Sequence, residues 1–202
     1  SGKSTFLRSI ASQIGALGGE IARLLIVDGK GEADFLGVAP ASSFQLIAGL
    51  PQEPLIDRDQ AVPAFRWLTE IELPRRREWV RAETTRRGTR VDVRADYVAS
   101  VRAGRTPEMA PLVIIVDEFA EFMLRGGAEQ TAFLEAVQSI AQAGRSVMIH
   151  LIVATQRPES KVVPGLIKGN LPTRIALRLP TAASMASLAT FPNTRHTSRR
   201  AS

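Results

Sequence analysis

Leu112-Val113-Ile114-Ile115-Val116 is an unbroken apolar run that ends in two adjacent carboxylates, Asp117 and Glu118. A strand that is apolar on both faces has to be covered on both faces, as happens in a parallel sheet between layers of helices. Ligands of open α/β sheets bind at the carboxyl ends of the strands, so an acid pair at such an end is either part of a site or an ordinary turn. At the other end of the chain, Ser1-Gly2-Lys3-Ser4-Thr5 reads as the end of a phosphate-binding loop, followed at helical spacing by Phe6, Leu7, Ile10, Ile14 and Leu17. Lys3 and Ser4 therefore open an amphipathic helix. Unpaired N–H groups and the positive end of the helix dipole would face phosphates there, with the Lys3 ammonium on the β and γ oxygens and the Ser4 hydroxyl available to Mg²⁺.

Between these ends, apolar runs alternate with helical patterns. Ala22 to Asp28 is a short Leu/Ile/Val-rich strand stopped by Gly29-Lys30-Gly31, and residues 32 to 57 are broken by Gly37, Pro40, Gly49, Pro51 and Pro54, with Phe44 to Ile47 as a short strand. From about Ala61 the pattern is helical through Phe65, Leu68, Ile71 and Glu72, and Pro74 is expected to kink or interrupt it. Gly104 to Pro111 is a polar loop. Glu129 to Gly144 is a helix with Phe133, Val137, Ile140 and Ala141 on one face and Gly144 as its stop. Val147 to Ala154 is a strand, Val162 to Gly169 a short helix, Thr173 to Leu179 a strand and Ala182 to Ala189 a last helix. Strand alternating with helix predicts a doubly wound, mostly parallel sheet with helices on both faces. A chain of 202 residues, 45% hydrophobic, has material for one such core and not for two large ones.

Composition removes several function classes. There is no cysteine, hence no disulfide and no thiolate metal site, and the two histidines lie far apart in sequence. No apolar run reaches the roughly 18 residues of a membrane span, and the first residues lack the apolar stretch of a signal peptide. The net charge is +6, with arginine far outnumbering lysine, which favours an anionic partner such as nucleic acid or nucleotide. The Arg75-Arg76-Arg77-Glu78-Trp79-Val80-Arg81 stretch, continuing to Arg86-Arg87-Gly88, is either a solvated helix face with internal Glu–Arg pairs or a basic surface that another subunit or nucleic acid covers.

Four segments, taken in order, resemble the FtsK/SpoIIIE motor family. They are Val116-Asp117-Glu118-Phe119-Ala120-Glu121-Phe122-Met123, Gly144-Arg145, Ile149-His150-Leu151-Ile152-Val153-Ala154-Thr155-Gln156-Arg157-Pro158 and Gly165-Leu166-Ile167-Lys168-Gly169-Asn170-Leu171-Pro172-Thr173-Arg174-Ile175-Ala176. The likeness runs from about Ser1 to Arg178, densely from Leu112 onward. It implies a RecA-like P-loop NTPase domain over residues 1–190 that begins inside the Walker A loop, so that the first, central strand is missing; residues 191–202, polar, basic and almost free of apolar groups, are expected to form a disordered tail. The end of the chain departs from the family, because Thr181 to Thr190 runs into the polar, basic stretch from Phe191 onward.

The same resemblance implies roles for residues. Ser1, Gly2, Lys3, Ser4 and Thr5 would contact ATP, with Lys3 and Ser4 the Walker A pair, Ser4 and Asp117 on Mg²⁺, and Glu118 the catalytic glutamate that polarises water. Gln156 would sense the γ-phosphate or the water, since an amide both donates and accepts. Arg145, and after it Arg174, are candidates for an arginine finger serving a neighbour's nucleotide, although either could be a structural ion pair. His150, inside an apolar strand, is expected to be packed rather than catalytic. The implied activity is ATP hydrolysis in a homo-oligomeric, hexameric ring that moves double-stranded DNA, on the cytoplasmic side, with any membrane anchor supplied by regions outside this sequence. Alternatives are a type VII secretion ATPase that pumps protein and a non-hydrolysing ring subunit.

Overall fold

In a computed structural model, the structure describes residues 2–29, 35, 55–56, 58–123, 126–157, 163–175 and 177. Four parallel strands form one sheet among them: β1 (Arg23–Asp28), β2 (Leu55–Ile56), β3 (Leu112–Asp117) and β4 (Ile149–Val153), in the spatial order β2-β1-β3-β4. Pairing of β1 with β3 runs without a break from Arg23 opposite Leu112 to Asp28 opposite Asp117, and β3 pairs with β4 from Leu112 opposite Ile149 to Val116 opposite Val153. All four strands therefore end at the same edge of the sheet.

Alternation along each strand sorts its side chains between two cores. Leu25, Val27, Leu112, Ile114, Val116 and Ile149 face one way, packed with Ala61, Ala64 and Phe65 of α2 (Arg58–Trp67), Phe133, Val137 and Ile140 of α6 (Gly127–Ala143), and Ile167 of α7 (Gly165–Asn170). Leu24, Ile26 and Ile115 face the other way, against Leu7 and Ala11 of α1 (Gly2–Ala16). Helices on both faces of a parallel sheet are the architecture that the apolar runs demand. No strand precedes α1 among the described residues, and β4, at one edge of the described sheet, keeps Leu151, Ile152 and Val153 only half-buried.

The helix predicted from Ala61 begins at Arg58 and is interrupted as expected, but the break lies before the proline. Leu68–Glu72 widens into a π-turn, in which the Leu73 N–H donates to the Leu68 carbonyl, and α3 (Leu73–Arg87) starts with Pro74 at its first turn. Pro74 has no N–H for the Glu70 carbonyl, and its ring would collide with that carbonyl in a regular helix, so the wider turn removes both conflicts. One consequence is that Glu72 turns inward. Glu72 and Arg76 are each 2% exposed, and Arg76 Nε donates to Glu72 Oε1 at 2.7 Å. Its Nη1 donates to the carbonyls of Ala110 and Val147 at 3.0 Å, tying α3 to the loops that lead into β3 and β4.

Other expectations need correction. The helix α4 (Val93–Arg102), capped by the Asp92 side chain on the N–H groups of Arg94 and Ala95, has no counterpart in the sequence reading, nor has α5 (Ala120–Met123). Thr173–Ile175 and Leu177 are not in a strand; Arg174 instead donates to the Lys168 carbonyl at 2.8 Å and draws the segment back onto the end of α7. Gly144 does stop α6, as its C-cap, and the chain then tightens into a 3-10 turn over Gly144–Val147. Gly144 also provides room: a Cβ there would sit 2.9 Å from the Ile149 carbonyl. The expected strand at Phe44–Ile47, the helix at Ala182–Ala189 and the tail 191–202 lie outside the described residues.

Removing one partner of a buried, hydrogen-bonded ion pair strands the other charge. Arg76→Ala should therefore destabilise the fold by about 3–5 kcal/mol. Arg81→Ala, which breaks a pair with Glu78 whose side chains are 76% and 66% exposed, should stay within about 0.5 kcal/mol of the parent. Urea denaturation midpoints of the two variants check this, and shifts of similar size would contradict it.

Candidate functional site

Three elements meet at the carboxyl edge of the sheet. β3 ends in Asp117 with Glu118 next to it, α1 carries Lys3 in its first turn, and β4 runs out into Ala154-Thr155-Gln156. The Lys3 Nζ lies 2.6 Å from Asp117 Oδ1 and 3.0 Å from Glu118 Oε2, with only 14% of the lysine side chain exposed. The second oxygen of Glu118, Oε1, accepts from the Thr155 hydroxyl at 3.0 Å and from the Gln156 backbone N–H at 3.0 Å. Glu118 thus binds all three elements at once.

Its backbone is as constrained as its side chain. Glu118 has φ +50°, a left-handed conformation that costs a residue with a Cβ on the order of 1–2 kcal/mol. Several contacts hold it there. The Glu118 N–H donates to Asp117 Oδ1 at 2.9 Å, the Phe119 N–H to the Ala154 carbonyl at 2.8 Å, and the Glu121 N–H to the Glu118 carbonyl at 2.9 Å. The next turn is pinned by aromatic packing, with Phe122 stacked on Phe133 at 4.5 Å between centroids and Phe119 at 5.9 Å from the same ring.

Burial works against both charges, and the partners outweigh it. Desolvation alone would lower Lys3, yet Asp117 and Glu118 hold its pKa above the ordinary lysine value. Desolvation alone would raise Glu118, yet the Gln156 N–H, the Lys3 ammonium and the Thr155 hydroxyl hold its carboxyl below the usual range. Both groups are therefore charged at neutral pH.

The predicted site residues are partly brought together. Lys3, Asp117 and Glu118 converge, with Gly2, Ser4 and Thr5 beside Lys3 in the first turn of α1; Ser1 lies outside the described residues. Gln156 is at the site, but through its backbone N–H, while its side chain is exposed. Arg145 is at the opposite edge, in the turn that precedes β4, and is exposed. A five-residue strand alone spans about 16 Å, so Arg145 cannot reach this site in its own chain. Arg174 is engaged with the Lys168 carbonyl. His150 is exposed rather than packed, which corrects the expectation from its apolar neighbours: they point to the two cores, whereas His150 lies at the start of the edge strand.

Two residues of the site went unassigned in the sequence. Thr155 was legible only as the residue that follows a strand. Gly29 was legible only as a strand stop, yet the register that sets Asp28 beside Asp117 carries it against the site, where its N–H donates to the Asp117 carbonyl at 3.1 Å. A Cβ on Gly29 would lie 2.8 Å from the Glu118 carbonyl oxygen and 2.9 Å from that of Asp117.

A parallel sheet covered on both faces, with a lysine-opening helix set against an Asp-Glu pair at its carboxyl edge, is the α/β fold of P-loop ATPase domains. The sequence pattern of the FtsK/SpoIIIE family matches residues 1–160, and the chain belongs to that family. A DNA translocase FtsK of Staphylococcus aureus (strain Mu50) is 49% identical over 72 residues, 36% of this chain and 9% of the relative. Among solved structures, the pCW3 conjugation coupling protein TcpA, in a monomer form with ATPγS, superposes with a TM-score of 0.67 at 24% identity, covering 93% of this chain and 48% of TcpA. The cytoplasmic domain of the type VII secretion ATPase EccC of Thermomonospora curvata gives a TM-score of 0.67 at 28% identity, covering 94% of this chain and 21% of EccC. The chain thus spans about a tenth of the FtsK relative and less than half of either structure.

Gly29→Ala should force the Asp117–Glu118 backbone apart, because the added methyl would meet two carbonyl oxygens and, at 3.0 Å, the Phe122 ring, which is held by its stacking on Phe133. We expect a loss of about 1–3 kcal/mol in stability, as for overpacked sites, together with lost site function. Gly88→Ala, in a left-handed cap with open space around it, should cost about 1 kcal/mol and leave the site intact. Equal effects of the two in thermal unfolding and nucleotide binding would contradict the close-approach role of Gly29.

Proposed function

We propose that this domain binds and hydrolyses ATP with Mg²⁺ and that, as one subunit of a ring, it couples hydrolysis to movement of double-stranded DNA. The observation that carries the first half is the Lys3 ammonium lodged between Asp117 and Glu118. A cation already sits among hard oxygen donors at the sheet edge, which is the donor chemistry that Mg²⁺ requires. Among the described residues no group of three or more His, Cys, Asp or Glu could hold a metal alone. That suits an ion carried by one or two protein oxygens together with substrate phosphates. Ser4 and Asp117 would hold Mg²⁺, whose charge would offset that of the phosphates.

The roles of the other groups follow from the contacts. Lys3 exchanges its carboxylate partners for the β and γ oxygens, which leaves Glu118 Oε2, among the described residues, with the longer 3.3 Å contact from the Gln156 N–H, while Oε1 stays bound to Thr155 and Gln156 at 3.0 Å. Oε2 is then the oxygen to polarise a water. The N-terminal turn of α1 directs backbone N–H groups toward the same anion. Arg145, far from its own site, acts on a neighbour's nucleotide if it acts as a finger at all, whereas the contact that Arg174 makes with α7 supports a structural role.

DNA as the cargo is supported by the name of the FtsK relative and by the Leu166-Ile167-Lys168-Gly169-Asn170-Leu171-Pro172-Thr173-Arg174 wording. Net charge supports it less than the composition suggests, because much of the arginine stretch is paired internally. Arg75 and Arg76 bind Glu72, Arg81 binds Glu78, Arg86 and Arg87 bind Glu83, and Arg87 also reaches Asp96 at 2.7 Å. A protein-pumping motor is the second reading, favoured by the equal superposition on EccC. A non-hydrolysing subunit is disfavoured by the intact Lys3, Asp117 and Glu118.

The test is the ATPase rate of protein shown to form rings, against DNA concentration at two ionic strengths. Double-stranded DNA of any sequence should accelerate hydrolysis, and the effect should fall steeply with salt as counterions are released. In the same assay Lys3→Ala should lose nucleotide binding, while Glu118→Gln keeps binding and loses all but a residual turnover. A rate indifferent to DNA at low salt would transfer the assignment to protein secretion, and no turnover at all would overturn the ATPase.

A further inference from the structure

We propose that Thr155 is the positioning residue for Glu118, holding one carboxylate oxygen in place so that the other is presented to the reaction; the inference rests on the ATPase reading above. The Thr155 hydroxyl has a single proton and two nearby acceptors, Glu118 Oε1 at 3.0 Å and the Arg157 carbonyl at 3.3 Å. The choice between them is set from behind. Arg157 donates its own N–H to Thr155 Oγ1 at 3.0 Å, occupying a lone pair, and the nearer, charged acceptor takes the proton. The turn after β4 is thereby folded around the hydroxyl and aims it at Glu118.

Among the described residues that hold Glu118 Oε1, Thr155 is the one whose contact a substitution can delete. The Gln156 N–H, which donates to Oε1 at 3.0 Å and is shared with Oε2 at 3.3 Å, comes from the backbone, so it persists whatever side chain stands at 156. Lys3 holds the other oxygen, Oε2, at 3.0 Å, and in the proposed reaction it leaves for the phosphates. Once it has left, the Thr155 hydroxyl and the Gln156 N–H are the contacts among the described residues that set the rotation of the carboxylate. A carboxylate fixed through one oxygen has a defined direction for the second. A single backbone N–H that both oxygens share does not fix which of them faces outward.

Thr155→Val keeps the shape of the side chain and removes the hydroxyl. With ring-forming protein, kcat for ATP should drop on the order of tenfold or more, the worth of one hydrogen bond to a charged group, with KM within about twofold of the parent. Thr155→Ser, which restores the hydroxyl without the methyl, should recover most of kcat. In a Glu118→Gln background the further change Thr155→Val should have no effect on residual turnover, because the group it positions is gone.

Each other outcome overturns the proposal. An unchanged kcat means that Glu118 is aimed without Thr155; a raised KM at constant kcat means that Thr155 binds nucleotide. A loss that serine does not repair, or that persists in the Glu118→Gln background, means that the residue acts through packing or independently. If Thr155→Val lowers the thermal midpoint, the serine variant and the double variant still decide the matter. Absence of turnover in the parent protein overturns the ATPase reading itself and the proposal with it, and is distinguished by that control.

Discussion

Parallel pairing of β1, β3 and β4 in one continuous register is the constraint on which the rest of the molecule depends. Because the strands point the same way, every residue that follows a strand arrives at the same edge: Asp28 and Gly29 after β1, Asp117 and Glu118 at β3, Thr155 and Gln156 after β4. The helix opened by Lys3 lies on one face of this sheet with its first turn at that edge, through Leu7 and Ala11 against Leu24, Ile26 and Ile115. The site is therefore a by-product of topology in its position and of a few short contacts in its detail. Those contacts are strained as well as strong. Glu118 stays in a left-handed backbone conformation because Gly29 leaves room beneath its carbonyl and Phe119 and Phe122 are locked against Phe133.

The opposite edge of the sheet is built on a different principle. There a buried guanidinium, Arg76, gathers the carbonyls at the starts of β3 and β4 and is neutralised by Glu72, which the π-turn before Pro74 turns inward. A buried ion pair contributes little net stability but is costly to break, so its main effect is to fix where α3 lies relative to the strand entrances. Arg145 lies near this pole, on the surface, which separates any role it has in an assembly from the chemistry at the carboxyl edge of its own chain. Among the described residues no helix is long and apolar enough to cross a membrane.

Much of this architecture was legible in the sequence. The run Leu112–Val116 could only be a strand buried on both sides, and the acids after it could only emerge at the carboxyl edge; both follow from local pattern. Lys3, Asp117 and Glu118 were singled out because their chemistry and spacing are distinctive, and the fold brings the three side chains together. What could not be read depends on side chains meeting across space. Arg76 looks like its neighbours Arg75 and Arg77 in the sequence, and only the inserted residue of the π-turn decides that it is buried. Helix α4 carries Val93, Tyr97 and Val101 at a spacing of four, a short period that was passed over beside the arginine-rich stretch before it. His150 was misplaced because apolar neighbours imply burial only when a strand is covered on both sides. Gln156 was singled out for its amide; in the structure its backbone N–H contacts Glu118, beside the Thr155 hydroxyl.

The central claim is that Lys3 is shared between carboxylates and phosphate while Glu118 stays anchored through one oxygen. A crystal structure of the assembled protein with Mg²⁺ and a non-hydrolysable ATP analogue tests it most directly. The account predicts Lys3 Nζ within hydrogen-bonding distance of the β or γ oxygens and no longer on Glu118 Oε2, with Glu118 Oε1 still bonded to the Thr155 hydroxyl. Lys3 still paired with Asp117 and Glu118, with the nucleotide bound elsewhere or Glu118 detached from Thr155, would contradict it.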